Sequence, residues 1–155
     1  MKFTKKTAQW DKIKRSLLKK TPSIETGWFA GQSYGSDNDN LPYATVAQWN
    51  NEGHRNDNGS ITPPRPFMSL GLARALDAGA NRNDFKDMIQ AVAEGRSIMT
   101  VLNKAGTNFE RTLRKVMLDW DTPRNAPLTI KLKGFDDPLV ETSELIANVN
   151  SRVGG

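Results

Sequence analysis

The chain has 155 residues, no cysteine, one histidine and a net charge of +5. That length fits one domain with a core of its own, and the lack of cysteine excludes disulfides, thiolate metal sites and cysteine nucleophiles. No run approaches the roughly 18 apolar residues of a membrane helix, and no apolar stretch follows the basic start as in a secretory leader, so a cytoplasmic protein is the expectation.

The charge is unevenly placed. Over residues 1–20, eight lysines and arginines face Asp11 alone, a net of +7, which leaves −2 for the rest of the chain. The sequence therefore divides into a basic N-terminal arm, residues 1–22, and a near-neutral body, residues 23–155. Within the arm, residues 8–20 read as a helix, because Trp10, Ile13, Leu17 and Leu18 recur at three- and four-residue steps. Thr21-Pro22 ends it, since the residue before proline avoids helical angles. Lys5, Lys6, Lys12, Lys14 and Arg15 are its candidate contacts with DNA or with a protein partner, and a solvated helix face accounts for the same charges.

Residues 24–34 alternate with a period of two and read as a strand, loosened at Gly27 and Gly31. Gly35 to Asn40 is a polar loop. Residues 42–51 read as a short helix through Tyr43, Val46, Ala47 and Asn50, although Tyr43, Thr45 and Ala47 also alternate as in a strand. Asn50 to Ser60 is a second polar stretch, expected to be exposed and mobile. Pro63, Pro64 and Pro66 then fix an extended path, with Phe67 and Met68 as its anchors on the core. Met68 to Ala78 reads as helical. Asp84 to Glu94 is amphipathic, with Phe85, Met88, Ile89 and Val92 expected on the buried face. Residues 97–120 carry the longest helical pattern, from Ile98 to Trp120, and Gly106 inside it is expected to bend or divide the helix. Ala126 to Leu132 is short and mixed, Lys133 to Pro138 is a turn, Thr142 is a candidate cap for a turn over Glu144 to Ala147, and Ala147 to Val153 reads as a closing strand.

The inventory for catalysis is thin. His54 stands in an Asn/Gly loop, a poor place to hold a base. Asp37, Asp39 and Glu52 are hard-cation donors without the spacing of a calcium loop. Asp136-Asp137 are adjacent, so in extended chain they point apart and suit a turn better than acid–base work. Gly27-Trp28-Phe29-Ala30-Gly31 lacks the lysine and helix start of a phosphate-binding loop. An enzyme would need a carboxylate pair assembled only by the fold.

Several short blocks occur in a telling order. Gly27-Trp28-Phe29 precedes Ala44-x-Val46-Ala47-x-x-Asn50-x-Glu52-Gly53. Pro64-Arg65-Pro66-Phe67-Met68 follows, then Asn125-Ala126-Pro127-Leu128-Thr129-Ile130-x-x-Lys133-Gly134, then Pro138-Leu139-x-x-Thr142. This ordered set, spanning about residues 26–153, resembles the neck and tail-completion proteins of tailed bacteriophages, including the virion-morphogenesis group. The chain departs from that pattern at His54-Arg55 and at Thr142-Ser143.

The resemblance implies a compact α+β subunit. With the elements above, that is a single domain in which a small antiparallel sheet packs against two or more amphipathic helices, with long polar loops. It implies a homo-oligomeric ring in the virion, assembled in the bacterial host between the head connector and the tail tube around the DNA channel. It implies no catalytic residue, no cofactor and no metal. Trp28, Glu52, Pro64, Arg65, Pro66, Phe67, Lys133 and Gly134 are the candidate interface and assembly residues. The alternative is a non-specific DNA-binding protein acting through the basic arm, with binding that falls steeply with salt.

Overall fold

The computed structural model describes residue 11 and residues 23–77, 79–94, 96–140 and 143–154. The helix expected over 8–20, its cationic contacts and the cap expected at Thr142 lie outside those residues. In chain order come β1 (Ser23–Gly27), α1 (Tyr43–Glu52), β2 (His54–Arg55), β3 (Ile61–Thr62), α2 (Phe67–Asp77), α3 (Gly79–Ala93), α4 (Met99–Leu118), α5 (Pro127–Lys133), α6 (Glu144–Ala147) and β4 (Asn150–Gly154). The architecture is α+β, with two small antiparallel sheets, β1–β4 and β2–β3. Among the described residues no helix is long and apolar enough to cross a membrane.

The twenty-residue α4 is the spine, packed against α2, α3, β1 and β4. Leu102, Ala105, Leu113, Val116 and Met117 recur at helical steps and are buried, so one stripe of the helix faces the core. Gly106 does not divide the helix, which runs unbroken from Met99 to Leu118. It lets β4 approach: a Cβ built there would stand 2.5 Å from Ser151 Oγ and 3.1 Å from Ser151 Cβ. The glycine marks a close crossing. Ser151 Oγ in turn donates to Glu110 Oε1 at 2.7 Å, one turn along the same helix.

The first described strand pairs with the last. Ser23 lies opposite Gly154 and Gly27 opposite Asn150. Arg152 locks the pair: its Nε sits 2.7 Å from Glu25 Oε2, and its guanidinium lies 4.2 Å from the Phe29 ring centroid. The strand is shorter than the alternation over 24–34 predicts. Gly27 at φ 152 ends it, Trp28 swings onto the core, and a turn closed by Gln32 N–H onto Phe29 C=O follows at 3.1 Å.

Two further expectations are corrected. The stretch after Asn50 is not a loose loop throughout, because His54 pairs with Thr62 and Arg55 with Ile61. Asn56 closes that hairpin through its N–H to Ser60 C=O and its Nδ2 to Thr62 Oγ1. On helix α3 the burial expected of Ile89 is corrected. Ala91 and Asp84 are buried while Ile89 is exposed. Buried Asp84 is tolerable because Lys104 Nζ lies 3.0 Å away and Asn108 Nδ2 donates to it at 3.1 Å, the pairing that a buried charge requires. That carboxylate also raises the pKa of Lys104.

Helix α2 has the opposite imbalance. Phe67, Gly71 and Ala75 are buried, yet Leu72 and Leu76 are 53% and 63% exposed. A helix apolar on both sides presents an uncovered face, of the kind that marks association surfaces.

The close crossing at Gly106 makes a prediction. Gly106→Ala gains helix propensity of roughly 1 kcal/mol but forces β4 away from the spine, at a cost of about 1–3 kcal/mol. Thermal unfolding of Gly106→Ala should show a lowered midpoint, and adding Ser151→Gly should recover part of it. A midpoint at or above that of the unmodified chain would mean that β4 yields freely.

Candidate assembly site

The proline-rich segment is seated by the end of α1. Gly53 closes that helix at φ 74, and a Cβ there would meet Thr62 O at 2.7 Å and Pro64 N at 2.8 Å. The Pro63–Pro64 path therefore runs against bare backbone, which only glycine permits. Arg65 N–H donates to Asn50 C=O at 2.9 Å. Asn51 Oδ1 accepts the Met68 N–H at 3.1 Å, so a side chain of α1 satisfies one of the orphan donors at the start of α2. Two neighbouring asparagines thus grip both ends of Arg65-Pro66-Phe67.

Arg65 is 4% exposed. Its Nε donates to Pro123 C=O at 3.3 Å, and its Nη2 lies 3.5 Å from Asn125 Oδ1. Burial pulls this guanidinium's pKa down, and the charge of Asp136 pulls it back up. Asp136 completes the arrangement by accepting the Asn125 N–H at 3.0 Å, with Arg124 Nε at 3.6 Å from its other oxygen. The planar fork of arginine suits this work, since it offers donors in more than one direction at once. The residues are a strut that ties the Pro-Arg-Pro segment to the 123–125 connection and, through Asp136, to the turn after α5.

Phe67 is fully buried. Trp28 meets it edge-on, with ring centroids 6.1 Å apart, and donates its Nε1–H to Leu145 C=O at 2.8 Å. Tyr43 OH donates to Glu144 Oε2 at 3.1 Å, so α6 is fastened twice. Burial, together with that carboxylate, pushes the Tyr43 hydroxyl above its usual pKa. Helix α5 starts with Pro127 at its first turn and stops at Gly134, left-handed at φ 82, whose N–H returns to Ile130 C=O. Lys133 Nζ donates to Asp137 C=O at 2.9 Å and lies 4.9 Å from the Phe135 ring centroid.

The expected site residues are thus sorted by place. Trp28, Arg65 and Phe67 meet inside one knot. Lys133 and Gly134 shape the turn that Asp136 leaves from. Glu52, Pro64 and Pro66 are exposed, and Glu52 accepts from Gln48 Nε2 one turn back. Lys5, Lys6, Lys12, Lys14 and Arg15 lie outside the described residues. Sequence reasoning gave Asn51, Asn125 and Asp136 no role in the site. Their short polar side chains beside turns were the available signal, because such residues commonly bond to nearby or facing backbone.

His54 is half-buried rather than exposed, and its ring stacks on Trp49 at 5.2 Å. Its Nδ1 is buried without a hydrogen-bond partner among the described residues, so nothing orients it as a base. Among the described residues no group of three metal-ligating side chains comes together. The Asp136 carboxylate bonds to the 124–125 segment, and the Asp137 carbonyl accepts from Lys133 Nζ. No family model, curated protein or solved structure matches the chain.

Two predictions follow from the strut and its neighbour. Arg65→Ala leaves buried acceptors unpaired and should cost about 2–4 kcal/mol. Arg65→Lys keeps the charge but not the fork, so urea unfolding should place it between Arg65→Ala and the parent. Equality of Arg65→Lys with the parent would reduce the strut to a point charge. The raised Tyr43 pKa stabilises the fold below the ordinary tyrosine range, and that contribution fades as pH climbs through about 10 and the unfolded tyrosine ionises first. Tyr43→Phe should flatten that alkaline decline, as read by unfolding midpoints from pH 8 to pH 11.

Proposed function

We propose that the protein is a structural subunit of a tailed-phage virion, forming a ring at the neck or the tail end that completes or joins the tail to the head connector. The observation that carries this reading is the convergence of blocks far apart in sequence. Trp28, Asn50 with Gly53, Arg65 with Phe67, and Asn125 belong to four blocks of the phage-like pattern, and together with the turn after Gly134 they make one connected knot. Contacts among those blocks support reading them as one set rather than singly.

The outward leucines of α2 fit the same reading, because a subunit that is buried in a ring can leave such residues uncovered beforehand. On this view the chain performs no turnover. Its partners are copies of itself and the neighbouring connector and tail-tube proteins, and it resides in the virion. The basic arm supports a second reading, non-specific DNA binding, since +7 over residues 1–20 is a concentrated charge.

Electron microscopy of lysates from a phage lacking this gene separates the two. Filled heads beside separate tails of normal length place the protein at joining, and tails of uncontrolled length make it a terminator. Intact, infectious virions would remove the structural reading and leave the arm as a DNA-binding device.

A further inference from the structure

A groove of about 350 Å³ opens between β1 and α2, with α4 as its floor. Ile24 and Thr26 form one wall, Met68 and Leu72 the other, and Phe109 and Leu113 lie beneath. No charged residue lines it among the described residues. Met68, Leu72 and Leu76 stand one turn apart on α2 and make an exposed apolar row. Met68 lies by the end of β1, its Cε 3.9 Å from a Cβ built on Gly27, and Leu72 shares the groove with Ile24. The row therefore runs back along β1 toward Ser23. Its exposure rises in that direction, from 36% at Met68 through 53% at Leu72 to 63% at Leu76. The apolar surface is barest toward the point where residues 1–22 enter the body, and such a face calls for a cover.

We propose that residues 8–20 cover this row from within the same chain, as a helix whose Trp10, Ile13 and Leu17 lie on Met68, Leu72 and Leu76. Length and attachment argue for this occupant. At roughly 1.5 Å per residue, Trp10 to Leu17 spans about 10 Å and Met68 to Leu76 about 12 Å. Thr21-Pro22 alone separates the helical pattern from Ser23, a connection short enough to turn the helix back along β1. That tether holds the stripe beside the row at a local concentration on the order of millimolar. Asp11, the one described residue of the arm, is helical and exposed. It stands roughly 100° round the helix from Trp10 and farther from Ile13 and Leu17, off the stripe, as this docking requires. Lys12, Arg15 and Lys19 fall on the opposite side and face outward. The uncharged walls thus meet the apolar stripe while the cations keep their water. The proposal stands whether or not the chain is a virion subunit. With the leucines covered within the chain, the ring reading rests on the knot alone.

The test is backbone-amide NMR of the full chain. The sequence has no cysteine, so Ala73→Cys, exposed beside the row, takes a single nitroxide label. Broadening of the Trp10 to Leu17 amides is expected in the labelled chain. Its loss is expected in a mixture where the nitroxide and the isotope are on different copies. Ile13→Gln/Leu17→Gln should abolish the broadening. In the chain without a label, the same double variant should shift the amides of Ile24, Thr26 and Met68 to Leu76, which checks the docking free of any obstruction by the nitroxide. Those spectra also report that the body is folded. Lys12→Gln/Lys19→Gln, on the outward side, should leave both readouts as in the parent. The proposal is overturned if the arm's amides stay sharp and the groove's amides ignore Ile13→Gln/Leu17→Gln. Broadening that persists undiminished in the mixture would overturn it by making a second copy the occupant. Loss of docking in Lys12→Gln/Lys19→Gln would overturn it by making charge, not the apolar stripe, the attachment.

Discussion

A guanidinium removed from water needs acceptors on several sides, and that need organises this molecule. Arg65 takes a carbonyl from Pro123 and an amide oxygen from Asn125, and it feels the carboxylate of Asp136. None of these is near it in sequence. Leaving them unmade would cost several kcal/mol, because breaking one side of a buried charged arrangement strands the other. Three segments must therefore be in place together: the proline-rich path, the 123–125 connection and the turn beyond Gly134. The prolines make the first of these stiff before the guanidinium arrives, so little backbone entropy remains to be lost there.

The second constraint is closure. β1 pairs with β4 across nearly the whole body, so the sheet forms only when the chain's two ends of that body meet. Gly106 permits the meeting, because β4 crosses α4 where any side chain on the helix would stand in its way. Arg114 reinforces it by donating to the carbonyl of Val149, just before the strand. Phe67, Val116, Met117 and Val149 then fill the space between helix α2, the spine and the C-terminal segment. The core is small, and it depends on side chains supplied by distant segments.

What the sequence revealed, and what it hid, follows from the range of the forces involved. The long pattern of α4 was legible because period and burial agree along one continuous stripe. So was the extended Pro63–Pro66 path, since proline sets its own angles. Misreadings arose where a distant partner reversed a local preference. Ile89 reads as core-facing by its spacing, yet it is exposed, while Ala91 and Asp84, the latter paired with Lys104 and Asn108, are buried. Gly106 reads as a break until β4 is laid across it. Arg65 sat in a recognisable block, yet nothing local says that it is buried, because its acceptors lie 58 and 60 residues away. Alternation over 24–34 reads as one strand, because Trp28 and Phe29 keep the pattern after Gly27 has turned the backbone.

Charge distribution links the fold to the proposed roles. The body is nearly neutral overall, but its acids and bases are unevenly spent. Asp84, Glu25, Glu110 and Asp136 are committed to pairs with Lys104, Arg152, Arg114 and Arg124, and the chain's excess of positive charge lies in the arm, +7 over residues 1–20. On the proposed reading the basic arm meets an anionic surface outside the body. Its eight cations, clustered within twenty residues, suit a smooth polyanion or an acidic surface, screened within about 10 Å at ordinary salt. Salt should therefore weaken contacts of the arm far more than it weakens the arrangement around Arg65, because desolvated groups are screened less than exposed ones.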